Sequence, residues 1–544
     1  MGKATTQAEL VLTQGRIVTA DAAFSVAEAV AVRDGRILAV GRNDEIAALA
    51  APDAEWIDLA GATVLPGLID THAHVEDAGL LRVTIGFEGV GSVAEALERV
   101  AGMAARTPPG QWLRGRIWHP MAQLAEKRFL HRRELDQAAP EHPVSLPVGH
   151  FTLVNSRALA LAGITRATPD PEGGTIHRDA DGEPNGVLEE RAEDLVNGLL
   201  PPWSTAEREA QLRDAMAHFN SHGLTGAISA AVNPLDLRCW QALNRRGAMT
   251  LRLGIMFAPT GGLNPTMTLA EWEHFFAHIG VASDFGDDWL RMAAVKLQID
   301  GGMTLRTAAM REGYPGAPDY HGVTVLEQDR LDALVAIANR ADWRVGIHAV
   351  GDAGVDAVLD AYARADAEKP IRDRRFIIIH GSLMQQDQMH RAKALGVRVD
   401  TQSAFLWDKG PAIARHLGEA TAARAIPLRS LIDIMGLDLV AQGTDYPINP
   451  LDPFGNISVA VTRRDRHGNL FGPGEAVTRE EAIRLYTSAA ARYGFAEDRV
   501  GSLEAGKYAD MVVLSDDILA VPDERLREIR AVRTIVGGRT VFTA

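Results

Sequence analysis

The sequence predicts an α/β fold: a (β/α)8 barrel, a composite β-sandwich formed by both termini, and a long insertion after the first barrel strand. Three observations carry this. Short apolar runs alternate with helical segments through the middle of the chain, the pattern of a parallel sheet. Alternating β-type runs stand at both ends. The first candidate barrel strand ends at His74 and the second begins at Gly226, far more chain than one strand-to-helix-to-strand crossover needs.

Residues 1–64 form the first part of the sandwich. The apolar runs are Ala8–Leu12, Gly15–Thr19, Ala29–Val32, Arg36–Val40, Trp56–Leu59 and Ala62–Leu65. Asp34-Gly35 between two of them is a strong hairpin signal. So small a β unit cannot bury its own faces and needs a partner. The C-terminus supplies one in 476–544: a terminal helix, then Gly506–Leu514, then Val532–Phe542, which folds back at Gly537-Gly538.

Residues 65–475 form the barrel. Leu65–His74 opens it as a buried strand. Seven further strand candidates follow: Gly226–Ser229, Leu251–Phe257, Arg291–Leu297, Arg344–His348, Phe376–His380, Arg398–Gln402 and Leu439–Asp445, with helices such as 326–341 and 352–366 between them. The inserted subdomain covers about 85–210, by the length argument above. It carries Trp112, Trp118, His119, His150, Trp203 and a Gly/Pro/Asp-rich run from Pro169 to Gly186. An insertion at the barrel's catalytic end is expected to become a lid or a pocket wall.

Composition narrows the function. The 544 residues are 46% hydrophobic and carry a net charge of -15, which argues against nucleic acid or an anionic membrane as partner and for a small-molecule substrate. A single cysteine, Cys239, rules out an internal disulfide and makes cysteine-ligated zinc implausible; a lone cysteine reads as a buried apolar residue. No apolar leader or membrane-length run is present, so a cytoplasmic location is expected.

The chemistry gathers at strand ends, where a barrel keeps its catalytic groups. In order these ends carry His72 and His74, Lys296, His348, His380 and Asp445. His72 and His74 share one face of their strand. Neutral imidazoles suit zinc and similar ions. Asp445 would bind metal and take a proton from bound water. Lys296, if burial drives it to the neutral amine, could add carbon dioxide and bridge two metals as a carbamate. Two divalent ions would then share a hydroxide and polarise a carbonyl. His218 and His222, and His274 and His278, also stand four apart, but neither pair has the Glu of His-Glu-x-x-His. The first pair directly precedes Gly223 and the second strand, which puts it at the barrel's opposite end. Asp352 reads as a helix N-cap, and Glu76 and Asp77 as solvent-facing. No phosphate-binding loop or nucleophile elbow is present.

At these residues the chain resembles the amidohydrolase superfamily of metal-dependent hydrolases. The opening signature is Val64–His74. Pieces similar to the YtcJ-like branch, which includes N-substituted formamide deformylases, are Glu134-Leu135-Asp136, Val154–Leu159, Pro171–Gly174, Gly182–Leu188, Asp300-Gly301, Ile347–Asp352, Ile379–Gly381, Gly443–Pro447 and Gly501–Asp510. The resemblance implies a metal-bearing barrel that hydrolyses amide or related C–N bonds. Its ligand positions map onto His72, His74, Lys296, His348, His380 and Asp445, and it implies a homodimer. The expectation is a binuclear zinc enzyme in which metal-activated hydroxide cleaves an amide, N-formyl or cyclic amide bond of a small apolar or aromatic substrate. Trp118 and His150 of the insertion are the candidate substrate contacts. The rivals are a mononuclear deaminase, decarboxylase or isomerase of the same fold, and a non-catalytic scaffold.

Overall fold

The computed structural model describes residues 7–116, 118–148 and 151–544. Chain contacts divide it into two units: Met1–Ala78 with Glu209–Ala544, and Gly79–Arg208.

The first unit holds an eight-stranded parallel sheet in sequential order. Its strands are β1 (Leu68–Ala73), β2 (Leu224–Val232), β3 (Arg252–Phe257), β4 (Leu290–Gln298), β5 (Val345–Ala349), β6 (Ile377–His380), β7 (Arg398–Thr401) and β8 (Val440–Gln442). Every neighbouring pair is parallel. The chain after β8 meets β1, where Asp445 N–H donates to His72 O at 2.7 Å and His74 N–H to Tyr446 O at 2.8 Å. These bonds draw the two ends of the sheet together and bear out the barrel. Ile228, Met256, Ile377, Ile379 and Tyr493 fill its interior. Helices Gln328–Arg340 and Asp352–Glu368 flank β5. The cap of the second is Gly351, and Asp352 is its first helical residue. Asp352 accepts instead from the Arg311 N–H at 2.8 Å.

A four-stranded sheet is built entirely from Ala8–Asp58 and a six-stranded sheet from both termini. In the latter, Met511–Leu514 pairs antiparallel with Thr63–Pro66. Leu10, Leu12, Val30, Val64, Met511 and Ile535 bury between the sheets. The composite sandwich follows from the alternation at both ends. Its two tight hairpins explain their own sequences: Asp34 and Gly35 have φ of 49° and 71°, and Gly537 and Gly538 of 55° and 73°, the left-handed pair a two-residue type I′ turn requires.

The second unit has a five-stranded sheet and its own core, including Phe87, Val100, Trp118, Leu135 and Leu146. Residues of the Glu134-Leu135-Asp136 and Asn155-Ser156 motifs lock this unit. Asp136 accepts from the Ser156 N–H and hydroxyl at 2.8 and 2.6 Å, and Asn155 accepts from the N–H groups of Val144 and Ala158. Cys239, in the first unit, is fully buried. Among the described residues no helix is long and apolar enough to cross a membrane.

Candidate metal centre

The centre starts from β1. His72 and His74 are two residues apart on a strand, so both rings leave the same face. Their Nε2 atoms lie 3.5 and 3.7 Å from Asp445 Oδ1. One donor atom from each of these three residues falls within 4.8 Å of the other two. Nitrogen and oxygen ligands about 2.0–2.2 Å from a tetrahedral zinc stand about 3.3–3.5 Å apart, so the two gaps to Asp445 are the size a cation spans.

Backbone geometry delivers Asp445. The eighth strand stops at Gln442, short of the sequence expectation, because Gly443-Thr444-Asp445 bends onto β1. Asp70 is the fastener: it accepts from the Thr444 hydroxyl at 2.6 Å, the Thr444 N–H at 3.0 Å and the His72 N–H at 3.1 Å. Gly443 permits the approach, since a Cβ there would lie 2.5 Å from His72 N. Asp445 itself sits at φ 56°, a left-handed conformation that costs a non-glycine residue about 1 kcal/mol or more and clusters at functional sites.

His348 and His380 come from the ends of β5 and β6. Their ring centroids are 4.4 Å apart, and His380 is 5.2 Å from His72. His348 Nε2 faces Gly301 O at 3.2 Å. A carbonyl only accepts, so this nitrogen carries the hydrogen and Nδ1 keeps its lone pair. The loop is braced by Asp300, which accepts from the N–H groups of Ala309, Val350 and Gly351 at 2.8–2.9 Å. His380, at φ 77°, turns Nδ1 to Gln402 Oε1 at 2.7 Å. Lys296, on β4, is 3% exposed.

Electrostatics keep the four imidazoles in ligand form. Burial, then the Lys296 charge, holds His74 near a pKa of about 4 and His348 near about 3 and pushes His72 well below the ordinary range; burial, then His348 and Lys296, does the same to His380. All four are neutral imidazoles at neutral pH. Burial also drives the Lys296 ammonium down, opposed by Asp445 and Asp400, and the Asp445 carboxyl up, opposed by Lys296 and Lys409. The set offers what a divalent cation requires: neutral nitrogens and a buried acidic group whose ionised form a cation would favour.

Comparisons with known proteins give the lineage. The profile of the amidohydrolase family matches residues 55–542. The chain belongs to the amidohydrolase family. It is 30% identical over 526 residues to YtcJ of Bacillus subtilis (strain 168), covering 95% of this chain and 96% of that one. It is 31% identical over 549 residues to the N-substituted formamide deformylase of Arthrobacter pascens, covering 97% of each. An uncharacterized metal-dependent hydrolase from Pyrococcus furiosus superimposes with a TM-score of 0.75 at 27% identity, covering 94% of this chain and 99% of that one.

In this amidohydrolase some residues lie apart from their sequence expectations. Glu76 is buried rather than solvent-facing: its carboxylate accepts from the Ser229 hydroxyl at 2.5 Å and the Trp240 indole at 2.6 Å. A buried carboxylate directly after a His-x-His looks polar in sequence because its partners are distant in the chain. His218 stays near the end of the helix Thr205–Ser221 that feeds β2, with its ring 5.8 Å from that of Tyr446. Trp118 is buried in the insertion's core, stacked on Phe87 at 4.0 Å between ring centroids. His150 lies outside the described residues. Sequence reasoning missed Asp400, Gln402 and Lys409. No local signal marks the first two, because Arg398-Val399-Asp400-Thr401-Gln402 is a mixed polar stretch whose partner, His380, lies on another strand.

Proposed function

We propose that the protein is a zinc-dependent amidohydrolase that cleaves the C–N bond of a small N-formyl, N-acyl or cyclic amide. The observation that carries this is the convergence of His72 Nε2, His74 Nε2 and Asp445 Oδ1 at the end of a barrel whose histidines are held neutral. The 31% identity to an N-substituted formamide deformylase supports the N-formyl class in particular.

His72, His74 and Asp445 would hold one ion. His348 through Nδ1 and His380 through Nε2 would hold a second. Lys296, pushed toward the free amine by burial, would take up carbon dioxide with loss of one proton, and the carbamate would offer anionic oxygens to the metal. Zinc supplies a Lewis acid for the carbonyl and lowers the pKa of a bound water to about 7. Asp445 has one oxygen turned to the histidines, which leaves Oδ2 to accept a proton from the attacking water and hand it to the leaving nitrogen. Lys409 steadies this turn: its ammonium donates to Ile448 O at 2.8 Å and Asn449 Oδ1 at 2.5 Å, while Asn449 donates to Thr444 O at 2.9 Å.

The mononuclear alternative draws on one observation, that the β1/β8 donors form a complete three-residue cluster by themselves. Metal content separates the two readings: two ions per chain supports the first, one the second. The function is tested by screening zinc-loaded protein on N-formyl, N-acyl and cyclic amides, with chelated protein as control. Turnover that requires metal is expected. Undiminished turnover in the chelated protein would contradict the proposal.

A further inference from the structure

β7 carries none of the six candidate ligands, yet Asp400 on it and Gln402 just after it face two of them. We propose that Asp400 and Gln402 are positioning residues that fix which ring nitrogen His380 and His72 present to the centre. This rests on the metal-site reading above.

Gln402 is fully buried, as is Asp400. An amide has one donating and one accepting end. Gln402 Nε2 donates to Asp400 Oδ1 at 2.6 Å. Burial pushes the Asp400 carboxyl up, opposed by the Lys296 charge and the Tyr493 hydroxyl; in its ionised form the reverse orientation would set the amide oxygen against a carboxylate oxygen at that distance, which is repulsive. Gln402 Oε1 therefore faces His380 Nδ1, 2.7 Å away. An amide oxygen cannot donate, so Nδ1 carries the hydrogen and Nε2 keeps the lone pair.

The second oxygen of Asp400 works on β1. It accepts from the Tyr493 hydroxyl at 3.3 Å and lies 3.8 Å from His72 Nδ1. That is too long for a hydrogen bond, but a carboxylate at this range favours a hydrogen on Nδ1. The other nitrogen, His72 Nε2, is the one that faces Asp445. One carboxylate thus orients two rings, one directly and one through an amide. His348 needs no such help, because the Gly301 carbonyl fixes it in the opposite sense. A hydrogen-bonded outer partner of this kind typically governs 10- to 100-fold of metal affinity.

The test uses the full-length protein with ¹⁵N-labelled histidines, first metal-free and then titrated with zinc against a chromophoric chelator. In the wild type, the His380 resonances, assigned by their loss in His380→Asn, are expected to report the Nδ1–H tautomer. Gln402→Leu is expected to mix the tautomers and weaken zinc binding about 10- to 100-fold. Gln402→Glu alone should also weaken it, because two carboxylates then meet. The double variant Asp400→Asn with Gln402→Glu restores a donor at 400 and an acceptor at 402, and should recover both the tautomer and most of the affinity. A merely structural role would not produce that recovery. An Nε2–H tautomer for wild-type His380, a folded Gln402→Leu that binds zinc as tightly as the wild type, or a double variant no better than Gln402→Glu would overturn the proposal. If the wild type binds no zinc, the metal reading fails, and the tautomers of the metal-free variants still decide the positioning role.

Discussion

The seam between β1 and β8 and the sector from β5 to β7 build the same centre in different ways. At the seam, main-chain bonds set the geometry: Asp445 N–H to His72 O, His74 N–H to Tyr446 O, and a buried Asp70 that gathers the Thr444 and His72 amides. In the sector, side chains set it: Gln402 and Asp400 hold His380, and only His348 leans on a carbonyl. A seam made of backbone tolerates little substitution and shows itself as a motif. A sector made of side chains can exchange donors and acceptors in matched pairs.

Four substitutions sharpen or break this contrast. The largest effect is expected at Asp445, where the seam ends in the proton-carrying carboxylate. Asp445→Asn should lower kcat on the best amide substrate by about 10³-fold, the scale of a lost general acid–base, with an unchanged denaturation midpoint. Near-normal turnover would sink the assigned role. Next is Asp70→Ala, which strands three donors and should cost about 3 kcal/mol in denaturant unfolding; a loss below about 1 kcal/mol would mean the seam does not depend on its fastener. Gln402→Leu, in the sector, removes a smaller network and should cost about 1–2 kcal/mol. If it costs more than Asp70→Ala, the contrast is wrong.

The smallest effect concerns pH. Burial, and to a lesser degree His222, holds His218 near a pKa of about 4, below its ordinary 6.5. Between those values the native protein binds fewer protons than the unfolded chain, so stability falls as pH is lowered through that window. His218→Gln should remove about 1 kcal/mol of that acid-side loss, after allowance for solvent screening. Unfolding curves at pH 4.5 and 7 would check it. An identical pH slope in the variant would place His218 in a more hydrated setting than its contact with Tyr446 implies.

The contrast also explains what could be read in the sequence. Fold and seam were legible because they use short-range signals: alternation at the termini, strand–helix alternation between them, and Pro-Gly-Leu-Ile-Asp-Thr-His-Ala-His matched to Gly-Thr-Asp. The six polar residues at five strand ends were legible one strand at a time, each at the close of an apolar run. Asp400 and Gln402 were not, since their meaning depends on the ring of His380, which only the closed sheet brings to them. Glu76 was misread for the same reason: Ser229 and Trp240, which satisfy it, lie more than 150 residues away. Trp118 read as a substrate contact of the insertion, because nothing local announces Phe87 as its stacking partner.

The most direct test of the central claim is the metal content of the purified protein, dialysed against metal-free buffer, compared with that of a His72→Asn/His74→Asn variant. Stoichiometric zinc in the wild type, reduced to trace in a variant with unchanged circular dichroism, is the predicted result. Equal metal in both proteins, or none in an active wild type, would contradict it.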